Sequence, residues 1–239
     1  MTAISIVIPA YNEEGRLPVT LEAVLRYLEA KGWASVEVLV VDDGSTDGTA
    51  AVAERAGAPV RLLRNPGNRG KGYAIRHGML EATGDWVLFS DADLSAPIEE
   101  LDKLMEAAER EGAQVAIGSR ALNRALIGVH QSVFRENAGR IFNLIMRIVV
   151  GLPFWDTQCG FKLFRREAAR EIFRRQRLDG FGFDVEALFI ARKLGFKTIE
   201  VPVRWSHSEG TKVSMIRDSL NMFLDLVRVR LHQLQGHYR

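Results

Sequence analysis

Two carboxylates two residues apart, Asp91 and Asp93, close the apolar run Trp86–Ser90. In an extended segment residues i and i+2 project to the same side, so both can reach one hard cation that also grips a diphosphate oxygen. An acidic pair also caps helices, and the helix-starting signal Ser95-Ala96-Pro97 follows at once. Three further polar clusters follow apolar runs: Pro9-Ala10-Tyr11-Asn12-Glu13, Asp42-Asp43-Gly44-Ser45 and Asn68-Arg69-Gly70-Lys71-Gly72. The last joins glycine flexibility and a cation to the N-terminus of a helical stretch, Tyr73 to Ala82, which suits a phosphate. Its plain alternative is an exposed lysine in a turn. Lys71 is followed by Gly72 rather than Ser or Thr, and no GxGxxG occurs, so P-loop hydrolysis and hydride transfer are disfavoured.

The runs that must position these clusters are Ile4–Ile8, Val36–Val41, Val60–Leu63, Trp86–Phe89 and Val115–Ile117, with amphipathic stretches between them. This rhythm predicts βαβ units and a parallel, doubly wound sheet, which binds ligands outside the carboxyl ends of its strands. The clusters after the first, second and fourth runs therefore converge on one edge. Beyond Arg120 the alternation breaks down. From Phe134, the positions Phe134, Ala138, Ile141, Ile145 and Ile148 recur at helical spacing beside Arg135, Arg140 and Arg147. Two readings of that helix stand equal: packed on the sheet with a solvated basic face, or lying at a membrane interface. A last helix is expected from near Ser214 past Leu234, with Ile216, Leu220, Phe223, Val227, Leu231 and Leu234 on one side. That side could dock on the domain, pair two chains as a homodimer, or meet lipid headgroups.

The chain has 239 residues, 32 basic against 30 acidic, for a formal charge of +2. Its length predicts one domain with a C-terminal elaboration. Between Arg120 and Arg147 stand five arginines and one acid, Glu136, and a second basic cluster surrounds Arg165 to Arg177. Nucleic-acid binding is not expected, because the arginines lie among apolar residues rather than beside stacking aromatics. The single cysteine, Cys159, makes no intramolecular disulfide and no thiolate zinc cluster. Met1–Ala10 lacks a signal-like basic region, and the longest apolar run, Ile148–Trp155, is far short of the roughly 20 residues that span a bilayer. The expected location is cytoplasmic, peripheral on the cytoplasmic face of a membrane.

The segments Ile6–Glu14, Val41–Asp47, Gly70-Lys71-Gly72 and Asp91-Ala92-Asp93, in that order, resemble a family 2 glycosyltransferase of the GT-A fold. In the second half Gly118-Ser119-Arg120, Asp156–Phe164, Phe183–Glu186, Val203-Arg204-Trp205 and Gly210-Thr211-Lys212 resemble the dolichyl-phosphate β-glucosyltransferase group, whose relatives include the dolichyl-phosphate mannose synthases. The membrane anchor of the eukaryotic group is not seen, and Thr211 stands where that group usually has serine. The resemblance implies an α/β, Rossmann-like, mostly parallel sheet flanked by helices, with C-terminal amphipathic helices. Residues 1–212 would form the catalytic domain, with the acceptor and interfacial region in 119–155, and 213–239 the final helix.

It further implies that Pro9, Tyr11, Glu13 and Asp42 hold the nucleoside of a nucleotide-sugar donor, with Asp43 also on the donor-binding side. Asp91 and Asp93 become ligands of Mg2+ or Mn2+, and Lys71 and Lys212 face the diphosphate. Other readings stay open: Tyr11 and Glu13 as core-edge aromatic and helix-start acid, and Asp43 as a turn brace. Arg120 and Arg135 match the acceptor-side arginines and would hold a polyprenyl or dolichyl phosphate, their alternative being ion pairs within the fold. Asp156 falls where related inverting enzymes carry a catalytic carboxylate, yet it could instead position Arg135, Lys162 or the acceptor. Asp184 and Glu186 fit structural ion pairing at least as well as catalysis. The reaction so implied is transfer of glucose from UDP-glucose to the lipid phosphate with inversion. The rivals are the same reaction with GDP-mannose, transfer to a non-lipid acceptor, and a non-catalytic nucleotide binder.

Overall fold

A computed structural model describes residues 2–129, 144, 146–207 and 215–239. The five expected runs form β1 (Ala3–Ala10), β2 (Ser35–Asp42), β3 (Val60–Arg64), β4 (Trp86–Ser90) and β5 (Val115–Ser119). Two more strands, β6 (Phe161–Arg165) and β7 (Thr198–Pro202), complete a seven-stranded sheet ordered β3-β2-β1-β4-β6-β5-β7. Among the described residues the α-helices are α1 (Leu17–Glu29), α2 (Thr49–Ala56), α3 (Lys71–Glu81), α4 (Glu100–Glu111), α5 (Arg166–Arg175), α6 (Phe183–Lys193) and α7 (Met215–Leu234), and residues 146–150 are helical as well.

Alternation along the strands builds a core on each side of the sheet. Ile4, Ile6 and Ile8 of β1, with Val38, Val40 and Leu88, face α1 and α4 and cover Leu17, Leu21, Val24, Leu28, Leu101 and Leu104. Each such buried side chain contributes about 1.5–3 kcal/mol. On the other face Val7, Leu39, Val41, Val87 and Phe89 meet α3, α5, α6 and α7. Strands buried on both faces read as continuous apolar runs, which is why β1, β2, β4 and β5 were visible in the sequence, while β3, an outer strand of the sheet, showed through Val60, Leu62 and Leu63.

The expectation that the α/β alternation ends near Arg120 is corrected by β6 and β7. β6 runs antiparallel to both β4 and β5, and β7 is parallel to β5. β6 carries Lys162 as its second residue, only 1% exposed, and that charge interrupts the apolar pattern. The antiparallel direction decides where the site lies. β1, β2 and β4 are mutually parallel, so they end on one edge, and β5 and β7 end there too. β6 starts at that edge, pairing Phe161 with Ser90, and so delivers the preceding Asp156–Gly160 segment to the ends of the parallel strands. The reversal of strand order between β1 and β4 marks the usual ligand crevice of such sheets.

The last helix begins at Met215, close to the expected Ser214, but the described part of its regularly spaced apolar row points outward. Phe223, Leu224, Val227, Leu231 and Leu234 are exposed, whereas Leu226 and Val229 pack on the domain. Among 144–155, Leu144, Ile148 and Trp155 are exposed as well. Of the earlier helical stripe, Phe134, Ala138, Ile141 and Ile145 lie outside the described residues, as do Arg135 and Lys212.

Candidate functional site

The loop after β1 is tied to the loop after β2 by side chains of both. Asn12, at φ +54°, donates its amide to Ser45 Oγ (2.9 Å), and its Oδ1 accepts from the Thr46 amide (2.8 Å). Asparagine tolerates this left-handed conformation better than most residues. Glu13 is gripped by Arg16 through two bonds of 2.7 Å, and its amide donates to Thr49 Oγ1 (2.7 Å). Tyr11, beside it, is the loop's most exposed aromatic at 37%. Pro9, next to last in β1, pairs with Val41.

Asp42 and Asp43 are both buried at the end of β2. Asp42 Oδ1 accepts from the Ser45 amide (3.0 Å). Asp43 receives Asn65 Nδ2 (2.8 Å) and the Arg69 and Gly70 amides (3.1 and 2.8 Å), so it fixes the Asn68–Gly72 corner. The bracing alternative is thus the geometry observed for Asp43.

That corner aims Lys71 at the acidic pair. Lys71 Nζ lies 2.6 Å from Asp91 Oδ1 and 5.4 Å from the centre of the Phe89 ring. Burial pushes the Lys71 ammonium down, but Asp91, with Asp184 beyond it, outweighs this and holds it above the usual lysine range. Asp91 is closed in from the other side by Gly160, where a Cβ would stand 2.0 Å from Oδ2. The Asp91 amide also donates to the Gly160 carbonyl (3.0 Å). Asp93 Oδ1 accepts from the Ser95 amide (3.0 Å), the cap-like contact the sequence allowed. Thr20 of α1 donates to the Ala92 carbonyl (2.5 Å) and anchors the turn between the two acids. Both carboxylates are half-buried on one turn. Hard oxygen donors of this kind fit Mg2+ or Mn2+, and no cluster of three or more His, Cys, Asp or Glu occurs among the described residues. A cation there would complete its shell from donor oxygens and water.

Under the pair lies a second, buried one. Lys162 donates to Asp184, at the start of α6, and to the Cys159 carbonyl (2.6 Å). Burial raises the Asp184 carboxyl, and the attraction of Lys162 and Lys71 opposes this without cancelling it. The contact observed for Asp184 is the Lys162 pair. Burial pushes the neighbouring Cys159 thiol up to about 12, so it stays protonated and inert.

A third pair lies across β5 and the segment before β6. Arg120 donates through Nε (2.7 Å), Nη2 (2.8 Å) and its amide (2.9 Å) to Asp156, which is 2% exposed. Burial pushes the Asp156 carboxyl up, but Arg120 outweighs it and holds it below the ordinary value of 3.8. Of the three positioning partners considered for Asp156, neither Arg135 nor the acceptor is described there, and Lys162 binds Asp184 instead; the partner seen is Arg120. The Arg120 guanidinium stacks 5.3 Å from the Trp205 ring. The Trp155 and Asp156 amides both donate to Glu200 of β7 (3.0 and 2.7 Å).

The edge thus gathers Pro9, Tyr11, Glu13, Asp42, Asp43, Lys71, Asp91, Asp93, Arg120 and Asp156. Arg16, Thr20, Gly160 and Glu200 also shape it without having been assigned roles from sequence. Gly160 alone carried a signal, as a glycine inside the Asp156–Phe164 segment; an acid on a half-buried strand and a threonine in a helix carry none.

The description Glycosyl transferase family 2 matches residues 5–173 of the chain. The dolichyl-phosphate beta-glucosyltransferase of Drosophila melanogaster is 39% identical over 99% of this chain and 77% of its own length. The human protein of that name is 38% identical over the same shares. Among solved structures, glucosyl-3-phosphoglycerate synthase of Mycobacterium tuberculosis in complex with Mn2+, UDP-glucose and phosphoglyceric acid superposes with a TM-score of 0.68. It is 21% identical, covers 95% of this chain and 79% of its own, and so speaks for the shared fold.

Two expectations follow from the geometry. Gly160→Ala must displace the Asp91 carboxylate; Mn2+ affinity measured by calorimetry should fall about tenfold or more while the melting temperature changes little. Asp156→Asn leaves Arg120 without its counter-charge and should cost about 3 kcal/mol at neutral pH in urea unfolding. Because the folded Asp156 value is depressed, its stabilisation is present above the ordinary value and lost as pH falls through the folded one. The gap between wild type and variant should therefore close below about pH 4.

Proposed function

The chain belongs to glycosyl transferase family 2, and from that premise we propose that it transfers glucose from UDP-glucose to a dolichyl or polyprenyl phosphate with inversion. The carrying observation is that Asp156, the carboxylate on the acceptor side of the edge, is taken up by three hydrogen bonds from Arg120 rather than left to take a proton. A phosphate monoester is largely doubly ionised near neutral pH, so its oxygen attacks without deprotonation. Asp156, held below the usual carboxylate range by Arg120, suits positioning rather than proton transfer.

In this reading Pro9, Tyr11, Glu13 and Asp42 hold the nucleoside, and Asp43 acts through the Gly70 corner it braces. Asp91 and Asp93 would hold Mg2+ or Mn2+, which supplies positive charge to the departing diphosphate. Lys71 adds charge to the same oxygens and, on donor binding, exchanges Asp91 for them. Lys212 is proposed for the same task, and Arg135 joins Arg120 at the acceptor phosphate. The acceptor oxygen forms a bond to the anomeric carbon as the carbon–oxygen bond to UDP breaks, which yields the β-linked lipid phosphate from an α-linked donor. Burial of Asp156 with Arg120 and the stacking of Arg120 on Trp205 keep that guanidinium in one orientation.

A lipid acceptor requires contact with a bilayer, and no helix among the described residues is long and apolar enough to cross one. We assign the contact to the outward row of α7 with Ile148 and Trp155, the chain resting on the cytoplasmic face. Arg147, 4.0 Å above the Trp155 ring, and the exposed Arg228 of α7 supply cations for anionic headgroups. The helix that carries the row passes the acceptor side, because Gln158 Nε2 contacts Met222 Sδ at 3.7 Å.

Incubation with labelled UDP-glucose or GDP-mannose, Mn2+ and vesicles carrying polyprenyl phosphate, then organic extraction, tests the reading. Label should enter the organic phase from UDP-glucose. Entry only from GDP-mannose would overturn the sugar, and label transferred only to water-soluble acceptors would overturn the lipid. Asp93→Asn should lower transfer by about a hundredfold or more, since a metal supplies several kcal/mol of charge stabilisation. In vesicle flotation, Phe223→Ser with Leu231→Ser should release the protein from anionic vesicles; unchanged flotation would mean that another surface binds lipid.

A further inference from the structure

Glu186 is fully buried on α6, away from the reacting groups, and the proposed chemistry makes no use of it. Its Oε2 accepts the Arg177 and Leu178 amides (3.0 and 2.8 Å), and its Oε1 accepts the hydroxyl of Tyr238 (2.6 Å). Tyr238 is itself 0% exposed and lies in the turn that follows α7, where Arg175 Nε also donates to the Arg239 carbonyl (3.0 Å). His232 Nδ1 lies 3.2 Å from the same hydroxyl and 3.7 Å from Glu186 Oε1.

The segment that Glu186 holds presses directly on the donor-side corner. Gln176 Nε2 donates to the Gly72 and Leu178 carbonyls (2.9 and 2.8 Å), and the Tyr73 amide donates to the Asp179 carbonyl (3.2 Å). The approach leaves no room for side chains: a Cβ at Gly70 would stand 2.4 Å from Asp179 O, and one at Gly72 2.5 Å from Leu178 O. Arg76, whose guanidinium lies over the Tyr73 ring, pairs with Asp179 Oδ1 at 2.8 Å. One face of the corner is thus set by Asp43 and the opposite face by the 176–180 segment.

We propose that Glu186 and Tyr238 are positioning residues that act through the 176–180 segment to hold Gly70–Gly72, and with it Lys71, in the geometry that receives the donor diphosphate. The functional half rests on the donor-side reading of Lys71; the mechanical half does not. Tyr238 donates to Glu186 Oε1, so each carboxylate oxygen has its own donors and Oε2 is left to the two loop amides. A buried carboxylate without the phenol would lose that partner and turn from the loop.

The test compares Tyr238→Phe, Glu186→Ala and Glu186→Gln with wild type by amide hydrogen exchange and by calorimetric titration with UDP in MnCl2. The Leu178 and Tyr73 amides should exchange about fivefold faster in Tyr238→Phe, the size expected for one lost hydrogen bond, with the Val38–Val41 amides of β2 unchanged. UDP affinity should fall by about the same factor in Tyr238→Phe and more in Glu186→Ala. Glu186→Gln, whose carbonyl oxygen can still accept the loop amides, should restore most of both. Faster exchange at Leu178 with none at Tyr73, or equal acceleration across β2, would overturn the coupling. Loosened exchange with unchanged UDP affinity would overturn its role in donor binding. Wild type that fails to bind UDP would sink the proposed function, while the exchange comparison still decides the mechanical half.

Discussion

Three ion pairs crowded onto one sheet edge set the terms for everything built there: Lys71 with Asp91, Arg120 with Asp156, and Lys162 with Asp184. Each joins different elements, α3 to β4, β5 to the segment ahead of β6, and β6 to α6. Desolvating a charge costs several kcal/mol unless a partner and hydrogen bonds compensate it, so none of these six residues can be changed alone without stranding its mate. The pairs differ in exposure, and the difference sorts their jobs. Lys162 and Asp184 are nearly fully covered and tie the Cys159 turn in place, whereas Lys71 and Asp91 keep 25% and 32% of their side chains open, where a ligand can reach them.

The antiparallel strand β6 is what makes such crowding possible. A purely parallel sheet would bring only strand ends to this edge. By entering from it, β6 adds the approach segment Asp156–Gly160, and two residues of that segment control the neighbours: Asp156 fixes Arg120, and Gly160 leaves space for Asp91. The chemistry proposed for the edge is economical for the same reason. A nucleophile that arrives already ionised leaves the protein only charge placement and orientation to supply.

The sequence was legible where local pattern and tertiary demand agree. β1, β2, β4 and β5 are apolar runs largely buried on both faces, β3 is a half-buried apolar run on the outer side of the sheet, and the clusters that follow β1, β2 and β4 sit at the shared edge as the rhythm predicts. β6 and β7 escaped because Lys162 and Glu200 break their apolar pattern, and both charges are matched by partners distant in sequence: Asp184 for the one, the Trp155 and Asp156 amides for the other. Helical spacing in the last segment found the row Phe223, Val227, Leu231 and Leu234 but not its direction; the packed side is the narrower Leu226 and Val229. Periodicity reports an apolar face, and only the rest of the molecule says whether another part of the chain covers it. Family likeness supplied what pattern could not, namely roles for Arg120, Arg135 and Lys212, the last two outside the described residues.

Under the membrane contact proposed for it, the outward row of α7 changes how speed is to be counted. An enzyme resting by that face on a sheet of lipid meets its greasy reactant by lateral travel within a plane, while the water-borne reactant comes from the bulk. Turnover would then scale with molecules per unit area for one partner and per unit volume for the other, so diluting the lipid phosphate among inert neighbours would slow the reaction even when its total amount is held constant.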